Sequence, residues 1–241
     1  MLNICSENLG IRQKMNHFDS KAEEWDDNSG HVENARKIAA VIKKAVPLSK
    51  TMSAMEFGCG TGLLSRELFS PERSERGSAA SAAGQRPKGE ATLGSVTAID
   101  LSPGMIEQLQ KRIDEAGLQN ITARCLDIFT DPPDEKYDLI FSAMAMHHVQ
   151  NTDALLDRFV ELLAPGGWIA LADLDTEDGT FHDGTEGFVH HGFDRQELIQ
   201  KLCARGFSQT TANTANTMHK NDRDYSVFLL AARKPANKDA R

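Results

Sequence analysis

The chain has 241 residues, of which 40% are hydrophobic and 26% are charged, a balance that suits one globular α/β domain or two small ones. Its formal net charge of −8 gives no basic footprint for nucleic acid, although a local basic face would still fit this total. No apolar run could span a bilayer, and no signal peptide is evident. The four cysteines lack the spacing of a metal site or a disulfide framework. These features together predict a cytoplasmic protein without a membrane partner.

Composition along the chain predicts one domain with additions. Residues 1–30 are predicted to be an N-terminal extension or lid, residues 31–234 the domain, and residues 235–241 a tail. Residues 71–93 are rich in small, polar and charged side chains without apolar periodicity, which predicts a mobile insertion. A tolerated surface insertion is favoured over a lid or partner-binding loop, because lengthening a loop costs little free energy.

Two aromatic residues stand in the extension, and an amphipathic helix follows it. Phe18 and Trp25 are expected either to help cover a ligand or to pin the extension to the core. Apolar residues then recur at helical spacing from Ala35 to Val46, and this pattern predicts a helix that ends near Pro47.

A glycine-rich turn follows the first predicted strand. The strand carries Glu56 near its end, and glycines stand at positions 58, 60 and 62. Gly58, Gly60 and Gly62 allow a sharp turn and let a ligand approach the backbone, while the next helix offers unpaired N–H groups. The spacing departs from the dinucleotide fingerprint. Because the Glu56 carboxylate would repel a pyrophosphate, the turn is predicted to bind a ligand with a cationic amino group.

Two further acids are predicted at the ends of the next two strands. Asp100 ends the second strand, where a carboxylate can accept hydrogen bonds from both ribose hydroxyls of an adenosine. Asp127 follows the third strand and could accept the adenine exocyclic amine. Leu101, Met105 and Ile128 are expected to pack near the ring.

Taken together, these segments resemble the successive motifs of class I S-adenosylmethionine (SAM)-dependent methyltransferases, in the family's order and over roughly residues 17 to 234. The general character of the motifs resembles the small-molecule branch that includes ubiquinone and menaquinone biosynthesis methyltransferases. The motifs that carry the resemblance are Glu56–Gly62, Ile99–Met105, Leu126–Asp127, Tyr137–Ser142 and Leu163–Trp168.

The resemblance implies a fold, a cofactor and roles for individual residues. The expected fold is an α/β, doubly wound, Rossmann-like sheet of seven strands in the order 3-2-1-4-5-7-6, with strand 7 antiparallel and helices on both faces. SAM is the implied cofactor, with its methionine part held by Glu56 and the three glycines, its ribose by Asp100 and its adenine by Asp127. Cys59 and Ser142 complete the predicted cofactor-binding set.

Histidines gather in the segments that follow the fourth and fifth predicted strands, which hold five of the chain's eight. A methyl acceptor that carries a proton needs a base, and histidine titrates near neutral pH. His182, His190 and His191 are the predicted catalytic residues. For His147 and His148 a packing or cofactor-edge role is favoured over catalysis.

A metal site is the alternative interpretation of these histidines. His147, His182, Asp183, His190 and His191 could converge on an ion, because loop ligands can meet without a local motif. No H-x-x-x-H or H-E-x-x-H spacing supports this, and no metal is predicted. Asp173 and Asp175, at the end of the fifth strand, could position an acceptor or simply be solvated loop acids.

The leading prediction is therefore a SAM-dependent methyltransferase that acts on a small-molecule acceptor. Carbon, oxygen, nitrogen and sulfur acceptors all remain open, as does the oligomeric state. The alternatives are a tRNA- or RNA-modifying methyltransferase, a non-catalytic SAM-binding regulatory subunit and, less favoured because of the glycine spacing, a nicotinamide oxidoreductase.

Overall fold

A computed structural model of the chain describes residues 18–69, 93–182 and 188–236. The predicted insertion at 71–93 lies outside the described residues except for Leu93, which is buried in the core. Residues 1–17 of the predicted extension, Asp183, and the end of the tail from residue 237 also lie outside them.

Helices and strands alternate along most of the chain, as its periodicity predicts. A 3₁₀ helix at Trp25–Asp27 precedes the domain, and a second one at Met146–His148 follows β4. The helices are α1 (Ser29–Ala45), α2 (Leu63–Phe69), α3 (Pro103–Ala116), α4 (Thr152–Leu162) and α5 (Arg195–Ala204). The strands are β1 (Ser53–Phe57), β2 (Ser95–Asp100), β3 (Ile121–Cys125), β4 (Tyr137–Ala143), β5 (Leu163–Leu174), β6 (Ser208–Lys220) and β7 (Arg223–Arg233).

The strands form one sheet in the order β3-β2-β1-β4-β5-β7-β6, which confirms the predicted order. The first five strands pair in parallel, whereas β7 runs antiparallel to both β5 and β6. The order reverses between β1 and β4, and ligands of such sheets bind beyond the carboxyl ends of the strands at this point.

Both faces of the sheet are buried, because successive residues of each strand point to opposite sides. One core contains Ala54 and Phe141 with the apolar sides of α1, α2 and α3. The other contains Met55 and Ile140 with α4 and α5. The predicted arrangement of helices on both faces is therefore confirmed.

Local sequence signals fix several of the boundaries. Ser102 caps α3 by accepting the Met105 N–H, and Asp194 caps α5 by accepting the Glu197 N–H. β5 begins at Leu163, because this residue already pairs with Tyr137 of β4.

β6 is the longest strand of the described residues and continues to Lys220. It ends in a two-residue turn in which Asn221 and Asp222 have positive φ angles of 53° and 56°, the conformation that joins two antiparallel strands tightly. Within the described ranges, no helix combines the length and the hydropathy that crossing a membrane requires.

Candidate active site

The three glycines of the turn after β1 have different surroundings, although all have positive φ. A Cβ at Gly58 would lie 2.4 Å from the Cβ of Ala145, and one at Gly62 would lie 2.4 Å from Cδ1 of Leu109. At Gly60 the nearest atom would be the Met105 sulfur at 3.9 Å. Gly58 and Gly62 are therefore required for packing, whereas Gly60 leaves open space beside the backbone.

Asp100 connects this turn to the end of β2. Its Oδ2 accepts the Gly60 N–H at 2.8 Å, and its Oδ1 accepts the Ser102 N–H at 2.9 Å. Burial raises the pKa of this carboxyl, and the two N–H donors oppose that rise. A carboxylate has about four lone-pair positions, so the ribose contact predicted for Asp100 stays compatible with this geometry. The bond to Gly60 was not foreseen from the sequence.

Glu56 lies inside the protein, with 2% of its surface exposed. Its carboxyl accepts the Ser65 N–H at 3.2 Å and also the Ser65 hydroxyl, at the start of α2. Burial raises the pKa of Glu56 to about 8. Glu56 therefore joins β1 to α2, and its predicted contact with a ligand amino group stays a prediction.

An apolar platform lies beyond the ends of β2 and β3. Leu101 and Phe129 are the large hydrophobic residues that remain exposed in the described ranges, with 43% and 39% of their surface accessible. Asp127 accepts the Phe129 N–H at 2.8 Å. Two apolar side chains beside carboxylates suit a planar ring with polar edges. Phe129 was missed by the sequence analysis, since an exposed phenylalanine has no local signature.

Four other predicted cofactor residues are buried: Cys59, Met105, Ile128 and Ser142. Burial raises the pKa of the Cys59 thiol well above its usual value. The Ser142 hydroxyl donates to the Phe57 carbonyl at 2.9 Å and has no exposed surface. The Ser142 side chain therefore links β4 to β1, and the cofactor-binding role predicted for these four residues stays a prediction.

The segment before α1 crosses this edge of the sheet and is bound at two points. Asp26 accepts hydrogen bonds from the Thr61 hydroxyl at 2.5 Å and from Arg66 at 2.7 Å, and it pairs with Arg112 at 3.1 Å. Less than a fifth of each of the charged side chains is exposed.

Asp19 forms the second attachment. Its carboxylate accepts the Gly104 N–H at 2.9 Å and the Ser102 hydroxyl at 2.5 Å. Residues 18–27 therefore contact the glycine turn and the start of α3, and a lid role for this segment stays a prediction.

Imidazole and aromatic rings form a cluster beside the turn. The ring centroid of His147 lies 4.1 Å from that of His148 and 5.0 Å from that of His182. His182 stacks on Phe188 at 4.5 Å, and Phe18 packs edge-on against His148 at 5.2 Å. We call these five residues the histidine cluster. It brings the predicted catalytic residue His182 together with the histidine pair after β4.

A buried hydrogen-bonded pair, His147 with Asp173, lies within the histidine cluster. Nδ1 of His147 lies 2.6 Å from Oδ1 of Asp173, and these side chains are 2% and 0% exposed. Oδ2 of Asp173 also accepts the His147 N–H at 3.2 Å. Asp173 is therefore buried rather than a solvated loop acid, and the packing or cofactor-edge role expected of His147 stays a prediction.

The other two predicted catalytic histidines lie outside the histidine cluster. Nε2 of His190 lies 3.0 Å from the Val149 carbonyl oxygen, to which it donates. The side chain of His191 is 52% exposed and contacts Glu177 at 3.2 Å.

Asp175 has a separate partner. It is held by the Arg195 guanidinium through two bonds of 2.6 and 2.5 Å, and this pairing outweighs burial and lowers the pKa of Asp175.

A metal centre finds no support in these positions. Across the described ranges, no group of three or more His, Cys, Asp or Glu side chains has an arrangement that could hold a metal ion. Asp183, one member of the alternative metal set, lies outside those ranges.

Comparisons with known proteins agree with this geometry. A family model described as a methyltransferase domain matches residues 30–212. The malonyl-[acyl-carrier protein] O-methyltransferase of Acetivibrio thermocellus is 24% identical over 233 residues, which cover 88% of this chain and 71% of that protein.

Solved structures share the fold. The structure of DhpI in complex with SAH has a TM-score of 0.66 at 22% identity and covers 95% of this chain and 98% of DhpI. The crystal structure of the [4+2]-cyclase SpnF has a TM-score of 0.63 at 15% identity and covers 84% of this chain and 81% of SpnF. At these identities the likeness extends to the fold and no further.

Proposed function

The chain belongs to the methyltransferase-domain family, and we propose from that premise that it is an enzyme that transfers a methyl group from SAM to a small-molecule acceptor. The similar protein from Acetivibrio thermocellus is named as an O-methyltransferase, and DhpI is described in complex with SAH, the product of SAM. Both descriptions agree with the motifs read from this sequence.

The observation that carries the proposal is the open space at Gly60. Its positive φ and lack of close neighbours let a ligand reach the backbone, and Asp100 lies beside it. Leu101 and Phe129 offer the apolar platform for a ring. These residues fit the methionine, ribose and adenine parts of SAM in the order in which they lie along the sheet edge.

We assign the acceptor to the histidine cluster, next to the glycine turn. SAM, when bound, supplies a methyl group bonded to a positively charged sulfur, which an electron-rich acceptor atom can displace. The rings of His148, His182 and Phe188 would position the acceptor and exclude water. Of the three predicted catalytic histidines, the geometry favours His182, since His190 donates to a carbonyl and His191 is exposed.

The test is transfer of label from methyl-tritiated SAM to a panel of probes that present different acceptor atoms. The panel contains 2,4-dihydroxybenzoate, 1,4-dihydroxy-2-naphthoate, ethanolamine, dithiothreitol, malonate and a low-molecular-weight cell extract. We expect label in at least one small molecule. The dihydroxynaphthoate also tests the proposed likeness to the quinone-biosynthesis branch.

A second candidate function is SAM binding without methyl transfer, because a structure titled as a cyclase shares this fold. SAM binding with no label transferred to any probe would favour that function. Label in added tRNA would instead favour RNA modification, which the net charge of −8 does not support. We further propose a cytoplasmic location, consistent with the free thiols of Cys59, Cys125 and Cys203.

A further inference from the structure

We propose that His147, held by Asp173, is the group that takes the proton from the methyl acceptor. The inference rests on the proposed function and narrows it to acceptors whose nucleophilic atom carries a proton, such as a hydroxyl or an ammonium group. It assigns the role of base to the buried His147, which is paired with Asp173, rather than to its neighbour His182, the residue predicted from the sequence.

The first support is the hydrogen bond between the His147 ring and Asp173. Nδ1 of His147 lies 2.6 Å from a carboxylate oxygen that is fully buried. A carboxylate accepts hydrogen bonds, so this contact places the proton of the neutral imidazole on Nδ1 and leaves the lone pair on Nε2. Among the described residues, Nε2 of His147 forms no hydrogen bond. The ring is therefore oriented to accept a proton at Nε2.

The second support is the rigid placement of the residue. Met144 directly follows the end of β4 and has a positive φ of 56°. Methionine adopts this conformation only when its surroundings impose it. Ala145 packs against Gly58 of the glycine turn. The His147 carbonyl accepts the N–H groups of Val189 and His190 at 2.8 and 3.1 Å. The imidazole is thus fixed relative to the turn that is proposed to bind SAM.

The proton balance of the step follows from these positions. As the acceptor atom forms its bond to the methyl carbon, the carbon–sulfur bond breaks and its electron pair stays on sulfur. The acceptor's own proton passes to Nε2 of His147, which becomes an imidazolium. The buried Asp173 carboxylate compensates the new charge, and the proton later leaves to solvent. A carboxylic acid acceptor, already ionised at neutral pH, would not need this step.

Among residues 18–69, 93–182 and 188–236, the titratable side chains that face His147 are Asp173 from β5, His148 from the same 3₁₀ helix, and His182 from the segment after β5. If His147 had a purely structural role, it would act only through its backbone hydrogen bonds and its contact with Asp173. His147→Asn separates the two roles, because its side-chain amide can still donate to Asp173 but cannot accept a proton at the Nε2 position. The surface pair of His219 and Asp224, 2.9 Å apart and largely exposed, provides the matched control His219→Asn.

The first measurement is ¹⁵N NMR of the histidine rings in the protein with SAH added, with the His147 signal assigned from His147→Asn. We expect the spectrum to show a proton on Nδ1 and none on Nε2. A proton on Nε2 with a bare Nδ1 would overturn the proposal. This readout needs neither turnover nor an acceptor, so it stands even if no probe is methylated.

The second measurement is turnover of the fastest probe from the acceptor panel. We expect His147→Asn to lower kcat by about 100-fold or more, with unchanged SAM affinity and little change in KM. His219→Asn should match the parent enzyme. Normal turnover by a folded, SAM-binding His147→Asn variant would overturn the role of His147. Failure of the parent protein to bind SAM would instead contradict the proposed function.

Discussion

At the residue scale, Asp100 combines two tasks that the sequence suggested only in part. Its carboxylate holds the backbone of Gly60 and Ser102 while still facing the predicted ribose position. The residue therefore shapes the glycine turn as well as offering acceptor atoms to a ligand.

Removing this carboxylate should affect both ligand affinity and stability. We expect Asp100→Ala to weaken SAM binding by at least about tenfold and to lower the free energy of unfolding by about 1–3 kcal/mol, because two backbone N–H groups lose their acceptor. Asp138→Ala is the matched control, since Asp138 also accepts a backbone N–H, that of Ser53 at 2.9 Å, at the opposite end of the strands. Calorimetry and urea unfolding check the pair; equal SAM affinity for the parent and Asp100→Ala would contradict the assignment.

The buried carboxyl of Glu56 should make stability depend on pH. Its pKa is raised from 4.5 to about 8, so between these values the folded protein keeps a proton that the unfolded chain releases. The protonated form of Glu56 therefore adds to the free energy of unfolding at low pH. This contribution, of the order of a few kcal/mol, is lost as the pH rises through this window. Glu56→Gln, which is neutral at every pH, should show a flatter profile.

Urea unfolding of both proteins between about pH 5 and 8 measures this difference. The exposed Glu115→Gln should follow the parent profile, since Glu115 makes no buried contact. Parallel profiles for the parent and Glu56→Gln would mean that Glu56 is already charged in the folded protein.

At the element scale, the glycine turn divides into packing positions and a ligand-facing position. Gly60→Ala should cost about 1 kcal/mol of stability because of its positive φ, and it should abolish SAM binding by filling the open space. Gly117→Ala is its control, since Gly117 has a φ of 61° with nothing near its Cβ position, and it should lose stability alone. Thermal unfolding and SAM titration distinguish them; intact SAM binding by Gly60→Ala would place the ligand elsewhere.

The segment of residues 18–27 is the second element with a testable role. Asp26→Asn removes the charge shared by Arg66 and Arg112, which should destabilise the protein by about 1–3 kcal/mol and speed SAM dissociation. Glu33→Gln disrupts the exposed pair with Arg36 and should change neither quantity. Stopped-flow SAM release measures the effect, and an unchanged release rate in Asp26→Asn would argue against a covering role.

The sequence predicted the elements better than the contacts between them. The strand order was implied by the family resemblance, whereas the starts of α3 and α5 are marked by the capping residues Ser102 and Asp194, which are local signals. The contacts of Asp26 with Arg66 and Arg112, and of Glu56 with Ser65, join residues that only the tertiary fold brings together. The pairing of His147 with Asp173 could have been suspected from the sequence, since His147 follows β4 and Asp173 lies near the end of β5, its parallel neighbour. The spacing of the residues did not indicate that the pair is buried.

At the scale of the whole molecule, the fold places donor and acceptor regions side by side without determining the reaction. The switch between β1 and β4 puts the glycine turn next to the 3₁₀ helix that carries His147. The cyclase SpnF shares the architecture, so the methyl-transfer claim depends on Gly60, Asp100 and the histidine cluster rather than on topology.

The most direct test of the central claim is parallel calorimetric titration of the intact protein with SAM, SAH and NAD. The account predicts micromolar binding of SAM and SAH, no binding of NAD, and loss of the first two in Gly60→Ala but not in Gly117→Ala. Binding of NAD, or the absence of binding by SAM and SAH alike, would contradict it.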